Sequence, residues 1–170
     1  RDIPVTVKNV TNMFYNCFNF NDRVNIPSNV TDCYGIFDGC ENFDKQISIP
    51  INVTNTQNMF RRCKVFKQSV TIPENVTNTA NMFYGAENFN VQIVISGNVT
   101  DTSNMFRDCY KFNNSRYQMQ FPQSITNMSN MFRNCNLFKS NLTIPDNVTN
   151  LSHFLDGASN YQQNVNIPNL

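Results

Sequence analysis

One six-residue phrase recurs along the chain and limits what the chain can fold into. It reads NMFYNC at positions 12–17 and returns with small changes at 58–63, 81–86, 104–109 and 130–135. Its phenylalanine serves as an alignment anchor, and the seven anchors are Phe14, Phe37, Phe60, Phe83, Phe106, Phe132 and Leu155. Their spacing is 23 residues at every step except one step of 26. A period of this length is typical of solenoid repeats.

Alignment on the anchor produces columns that stay apolar through the chain. Valine or isoleucine stands seven residues before each anchor, and an aromatic residue stands six residues after it. A stacked core requires such columns, because each coil of a solenoid buries its apolar edge only against its neighbours. The aromatic column is Phe20, Phe43, Phe66, Phe89, Phe112, Phe138 and Tyr161.

The order of residues within each copy predicts its local structure. An alternating segment such as VTIP at 70–73 is typical of a short strand that ends at proline. An Asn or Asp five residues before the anchor predicts an N-cap, followed by one turn of α- or 3₁₀-helix. We therefore predict an α/β solenoid with a parallel β-sheet on one face, short helical or 3₁₀ turns on the other, and about seven coils over residues 1–170. A right-handed coil is predicted from the preference of parallel crossovers.

These residues resemble a known family. VTIPENVTNTANMFYGAENF at 70–89 is similar to the BspA-like leucine-rich repeat, with Phe in place of its last Leu. The same sequence pattern resembles a repeat of mycoplasma and lactic acid bacterial surface proteins. The Gly that usually follows the Val-Thr pair is absent, and Leu is scarce. The resemblance covers the whole chain. It implies a leucine-rich-repeat-like fold and a surface-exposed protein used for adhesion and protein binding, without catalysis. Similar repeats occur in phage tail proteins.

Charge and hydropathy exclude some classes of partner. The formal net charge is +1 and charged residues are 15%, which leaves no basic face for a nucleic acid. No apolar run is long enough to span a membrane. The chain opens on Arg1 rather than Met and stops within a strand-like segment. We therefore expect a piece of a longer protein, whose ends continue into flanking domains or stack end to end on a partner.

The residues most often used in catalysis or covalent chemistry have structural interpretations here. Five of the six cysteines share one column with Ala86 and Ala158, which favours free core thiols, while a disulfide between neighbouring coils stays open. A metal site is not predicted, because the chain has no Cys-x-x-Cys and a single His. That residue, His153, stands in a column of Asn and Gly and is interpreted as a turn residue. No cofactor motif is present. The NVT triplets match a glycosylation sequon, but their positions also shape the turn after each strand.

Two surfaces are candidates for binding. The first, the strand face, carries outward amides and hydroxyls in place of charges, and it consists of Asn25, Ser48, Thr71, Gln92, Gln120 and Thr143, with Gln118 beside them. The second, the Arg–Tyr stripe, follows the anchor directly and consists of Tyr15, Arg61, Tyr84, Arg107 and Arg133, with Asp38 and Asp156 in the same column. Arg and Tyr are enriched at interface hot spots. The alternative, that each is an ordinary solvated surface, stays open.

The predicted function is non-enzymatic binding. We expect a binding or adhesion module of a microbial surface protein, located extracellularly or on the cell surface, that recognises a host protein or a glycan. The alternative is a structural or receptor-binding segment of a phage virion or tail. Saturable binding to one face would favour the first, and tight end-on self-association without a ligand would favour the second.

Overall fold

Successive repeat copies pair with one another in parallel, one coil for each copy. The structure is a computed structural model, and it describes residues 2–113 and 119–167. Its strands are β1 (Leu142–Thr143) and β2 (Val165–Asn166), which pair in parallel with Leu142 opposite Val165. Isolated parallel bridges join other coils, namely Asp2–Asn25, Asp32–Asn55, Asn55–Asn78, Thr71–Val94, Asn78–Asp101, Asp101–Asn127 and Asn127–Asn150. Every pair joins equivalent positions of the repeat, so the columns of the alignment are columns in space.

Two stacks of phenylalanine rings run through the core. Within a coil, the anchor ring lies 4.1–4.4 Å, centroid to centroid, from the ring six residues later. Between coils, consecutive anchor rings lie 5.6–5.8 Å apart. In the five inner coils both rings are fully buried. The pattern changes at the last coil, where Leu155 is the anchor and Phe154 meets Phe132 edge-on at 69°.

Aliphatic and small side chains fill the rest of the core. The column seven residues before the anchor is fully buried from Val30 to Ile125, and the column eleven before it includes Ile49, Ile72 and Ile144 at 8% exposure or less. Cys33 lies fully buried in a column that Thr56, Thr79 and Thr102 continue. The hydroxyls of those threonines donate to carbonyls of the next coil. The apolar columns predicted from the repeat therefore form one continuous core.

A hydrogen-bonded ladder of turns joins the coils around the anchor. We call it the turn ladder. In each of the first six coils, the N–H groups two before the anchor, at the anchor and two after it donate to carbonyls of the next coil, as in Asn58 to Ala80 (3.0 Å), Phe60 to Met82 (2.9 Å) and Arg62 to Tyr84 (2.7 Å). The intervening N–H groups close turns within the coil, such as Arg61 to the Asn58 carbonyl at 3.1 Å. All three rungs point towards the following coil, so the ladder has one direction.

The prediction of a helical turn in each repeat is wrong. No residue in 2–113 or 119–167 is α- or 3₁₀-helical. An α- or 3₁₀-helix would require each successive N–H to bond the carbonyl four or three residues back, whereas every second N–H of this segment bonds the next coil. Positive φ also interrupts the segment twice in each coil, for example at Asn81 (56°) and Gly85 (73°). A left-handed residue cannot continue a right-handed helix.

The predicted sheet is present only in pieces. On the strand face, the paired residues are β1 with β2 and the single bridges Asp2–Asn25 and Thr71–Val94. Proline follows most strand-like segments and has no N–H to donate. The turn ladder and a row of Thr-to-Thr backbone bonds, such as Thr77 to Thr54 at 2.8 Å, instead carry most of the pairing between coils. The handedness of the coil stays a prediction.

An Asn or Asp stands five residues before every anchor, and we call these residues the Asx column. They cap turns instead of helices. Each Asn or Asp side chain of this column accepts the N–H two residues later, as Asn55 does from Gln57 at 3.0 Å and Asp101 from Ser103 at 2.8 Å. This is the Asx-turn, which offers the backbone an alternative to helix formation. From Asp32 to Asn150, the residues of this column also make parallel bridges with one another. The prediction of a helix N-cap at this column is therefore wrong, and its side chains close Asx-turns instead.

The ring stack predicts that two core substitutions lower the free energy of unfolding by different amounts. Phe83→Ala should lower the free energy of unfolding by about 3–5 kcal/mol, because it deletes a fully buried ring that meets four others. Cys109→Ala should cost only about 1 kcal/mol, because alanine occupies this column at Ala86. Urea unfolding followed by circular dichroism measures both. Equal losses would contradict the stack as the main support of the core.

The left-handed positions predict a second contrast. Asn81 has φ of 56°. Asn81→Val should lower the free energy of unfolding by at least about 1 kcal/mol, because a β-branched residue is strained there. Asn81→Gly should change it by a few tenths, since glycine accepts this conformation. Thr77→Val, which loses an exposed hydroxyl hydrogen bond of 3.3 Å to Thr54, serves as the surface control. If Asn81→Val proved as mild as Asn81→Gly, the turn ladder would not need a left-handed residue.

Candidate functional site

Three side chains of the Arg–Tyr stripe stack on one another. The guanidinium carbon of Arg61 lies 5.3 Å from the centroid of the Tyr84 ring, and that of Arg107 lies 5.0 Å from the same centroid. Each residue belongs to a different coil, and the turn ladder sets their register, because the carbonyls of this column accept its last rung. Guanidinium groups stacked on an aromatic ring gain cation–π attraction. The structure thus brings together Arg61, Tyr84 and Arg107, which are 23 residues apart.

Asp38 differs from its neighbours in the column. It is buried, with a side chain only 4% exposed, and its carboxylate faces Arg61 at 3.5 Å and Arg62 at 3.2 Å. We interpreted this position from sequence as an open surface residue, and that interpretation is wrong, because the two arginines of the next coil cover it. Burial by itself would lower the pKa of Arg62, but hydrogen bonds to Asp38 and Tyr15 raise it above the ordinary value. Asp38 therefore pairs with Arg61 and Arg62 beneath the stripe and does not itself face a ligand.

The remaining arginines have few anionic partners. Arg107 donates from Nη1 to the Asn104 side-chain oxygen at 3.3 Å, and Arg133 donates to Asn130 in the same way at 3.3 Å. The Nε of Arg107 lies 3.8 Å from a carboxylate oxygen of Asp108, which is an ion pair but not a hydrogen bond. The Nε atoms of Arg61 and Arg107 are both buried and have no hydrogen-bond partner. The donors left for a ligand are therefore the terminal Nη groups of Arg107 and Arg133, which make one described hydrogen bond each.

The strand face lies in solvent as predicted. Its residues are exposed at Asn25, Ser48, Thr71, Gln92, Gln120 and Thr143, whereas Gln118 lies outside the described residues. Shallow depressions on this face are lined by Gln46, Ser48 and Thr71, and by Gln92 and Gln120. Ile51 and Val94 border them and are 55% and 67% exposed.

The cysteines are free thiols, and five of the six are buried. Cys40, Cys63, Cys109 and Cys135 each donate from Sγ to the anchor carbonyl of an earlier coil, at 2.9–3.2 Å. Burial raises the pKa of the Cys40 thiol to about 12 and that of Cys63 well above its ordinary value. A raised pKa suppresses the thiolate, which is the reactive form. These thiols therefore act as core groups. The prediction placed Cys17 in the same column, but it is exposed.

His153 and the NVT asparagines have structural contacts. His153 has φ of 55° and lies 2.6 Å through Nδ1 from the carboxylate of Asp156, in agreement with its interpretation as a turn residue. The NVT side-chain amides donate to carbonyls of the preceding coil at 2.7–3.2 Å, namely from Asn29, Asn52, Asn75, Asn98 and Asn147. This asparagine row was not predicted, although its constant position within the repeat was a usable signal.

The described part of the chain contains neither a cluster of metal ligands nor a membrane-spanning helix. Within residues 2–113 and 119–167, no group of three His, Cys, Asp or Glu side chains could hold a metal ion. The same residues contain no helix with the length and apolarity needed to cross a membrane.

The repeat columns match a family model along almost the whole chain. The model is described as "Mycoplasma protein of unknown function, DUF285", and it matches residues 4–93, 51–145 and 72–168. The chain belongs to this family. No curated protein matches it in sequence. The DUF285 repeats therefore establish relationship without establishing a function.

Solved structures confirm the fold predicted from the resemblance. A leucine-rich repeat protein of T. pallidum is 19% identical, with a TM-score of 0.65 over 98% of this chain and 72% of that chain. Leucine-rich repeat proteins of Bacteroides ovatus and Eubacterium ventriosum are 22% and 23% identical, with TM-scores of 0.61 and 0.60 over 89% and 92% of this chain. The DUF285 chain spans 44% and 42% of those two proteins. The leucine-rich repeat resemblance of the BspA type is confirmed as a likeness of fold.

The buried thiols predict selective chemical labelling. A thiol reagent such as iodoacetamide at pH 8 should modify Cys17 in the native protein and the other five cysteines only after unfolding. Burial raises the pKa of Cys33, which is outside the column, to about 12, so its thiolate is scarce at that pH. Peptide mass spectrometry identifies the modified residues, and urea-unfolded protein is the control. Rapid modification of Cys63 or Cys109 in the native state would contradict the role of these thiols as core groups.

Proposed function

We propose that the chain is a non-enzymatic binding module of a microbial surface protein and that it recognises a protein partner. The observation that carries this proposal is the Arg61–Tyr84–Arg107 stack, which is held at fixed register outside an otherwise repetitive core. The core columns leave little freedom at buried positions. The residue after the anchor is free to vary, and it varies between Tyr, Asp and Arg. Variation on a constant scaffold is how repeat proteins acquire distinct ligands.

The protein chemistry of the described residues supports binding over catalysis. The buried thiols have raised pKa values, and the imidazole of His153 contacts a carboxylate on the surface of the last coil. Neither arrangement provides an activated nucleophile beside a general base. The surface depressions are shallow and lack convergent titratable groups.

A surface location is part of the same proposal. It rests on the resemblance to BspA-like repeats, which implies exposed proteins that bind other proteins. A glycan is the second candidate ligand class, because the exposed amides and hydroxyls of the strand face can form hydrogen bonds with it. Of the two ligand classes we favour a protein partner, since the stripe combines the residue types that dominate protein interfaces.

A binding screen with one variant on each face tests the proposal. Purified host extracellular proteins and an array of defined glycans are presented to the immobilised chain, and binding is measured by surface plasmon resonance. We expect saturable binding of a protein that Arg107→Gln weakens and Thr71→Arg leaves unchanged. The opposite response, with glycan binding lost only in Thr71→Arg, would move the site to the strand face. Circular dichroism of each variant controls for folding.

If the chain has a structural role instead, the same experiment should give a different result. If no protein or glycan binds and light scattering shows end-on self-association of the chain, the binding proposal fails. A structural segment of a virion or of another assembly would then be the better description.

A further inference from the structure

We propose that Arg61, Tyr84, Arg107 and Arg133 form a site for an extended acidic peptide segment, and this inference rests on the proposed function. The ligand class is a stretch of protein chain that carries a few spaced Asp or Glu side chains. The four residues come from four successive coils. The site would therefore lie along the solenoid axis, across the coils.

Stacking leaves the edges of the guanidinium groups available. In the sandwich, Arg61 and Arg107 lie over the Tyr84 ring at 5.3 and 5.0 Å. A guanidinium packed face-on against a ring keeps its N–H groups in its own plane, where they can bind a carboxylate with two parallel hydrogen bonds. Stacking also restricts the arginine side chains before a ligand arrives, which reduces the entropy lost on binding.

Several N–H donors of the stripe arginines have no described hydrogen-bond acceptor within the protein. An arginine has five N–H donors. In Arg107 and Arg133, the described hydrogen bonds are single contacts of 3.3 Å to neutral asparagine oxygens. The Nε atoms of Arg61 and Arg107 are buried without a partner. These Nε atoms are out of reach of a ligand, so the donors that remain for one are the terminal Nη groups of Arg107 and Arg133. An incoming carboxylate that pairs with those groups would supply the charged acceptor that neutral asparagine does not.

Neighbouring carboxylates restrict how much negative charge the ligand can carry. Asp38 is paired with Arg61, and Asp108 lies 3.8 Å from Arg107. A dense polyanion would meet repulsion from them. A peptide with a few separated carboxylates matches the alternation of charge better.

The dimensions of the stripe match a short peptide. Parallel neighbours in a ladder are about 4.8 Å apart. Arg61 and Arg107, two coils apart, are therefore separated by about 10 Å, and the stripe from Arg61 to Arg133 is about 15 Å long. An extended chain advances about 3.3 Å per residue, and five residues cover this length. The long 26-residue step does not interrupt the stripe, since the Phe106 and Phe132 rings keep the usual separation of 5.7 Å.

Fluorescence anisotropy with a defined peptide tests the site. The probe is a labelled seven-residue peptide of alternating Glu and Gly, and its Gln-for-Glu version is the matched ligand control. Arg107→Gln should weaken binding about tenfold, which corresponds to about 1.4 kcal/mol. Arg107→Lys should weaken it several-fold although the charge is kept, because lysine cannot bind bidentately while stacked. Lys139→Gln removes one exposed charge outside the stripe and should change the affinity less than twofold.

Four results would overturn this inference. Equal loss in Arg107→Gln and Lys139→Gln would reveal unspecific charge attraction, and so would tighter binding of a sulfated polysaccharide than of the peptide. Equal binding of the Gln-for-Glu peptide would show that the carboxylates are not recognised. If the protein partner found in the screen kept its affinity for Arg107→Gln but lost it for Thr71→Arg, the acidic-peptide site would be wrong while the binding function stood. Arg61 is left unchanged in these tests, because its removal would expose the buried Asp38 carboxylate.

Discussion

The distance between stacked phenylalanine rings is the constraint on which the rest of the structure depends. Anchor rings recur every 5.6–5.8 Å through six coils. This step places the backbone of each coil within hydrogen-bonding distance of the next, so that the turn ladder forms with N–O distances near 3 Å. The contacts between residues 23 apart in sequence, including the Arg–Tyr sandwich, follow from that repeated step.

Asparagine serves three different purposes in this scaffold, which explains its abundance. In the turn ladder it adopts positive φ, as at Asn58, Asn81 and Asn104, because its side chain tolerates the left-handed region better than most. In the Asx column it accepts the N–H two residues later. In the NVT row its amide bridges to the previous coil. A polar, uncharged residue that both donates and accepts suits each purpose, and the low overall charge follows.

The stripe shows how a binding surface can arise from a repeat. The core positions and the left-handed positions restrict the choice of residue, whereas the position after the anchor can hold Tyr15, Asp38 or Arg107 in turn. Neighbouring coils then combine these choices into contacts that a single repeat does not contain. The pairing of Asp38 with Arg61 and Arg62 illustrates this, since the carboxylate belongs to one coil and both guanidinium groups belong to the next.

The periodicity was sufficient to predict the coils, the apolar columns and the burial of Cys40, Cys63, Cys109 and Cys135, though not the exposure of Cys17, because a column of Phe or Val has the same meaning in every copy. It did not predict the turn ladder. An apolar spacing of three is shared by a helical turn and a chain of β-turns, and only the position of the next coil decides which N–H groups find partners. The Asn- and Gly-rich column two residues after the anchor, as in Asn16, Gly39 and Gly85, was a signal for left-handed residues that the helical interpretation passed over. The burial of Asp38 and the stacking of Tyr84 between two arginines required the tertiary structure for a physical reason, since both depend on side chains of different coils that meet only after stacking.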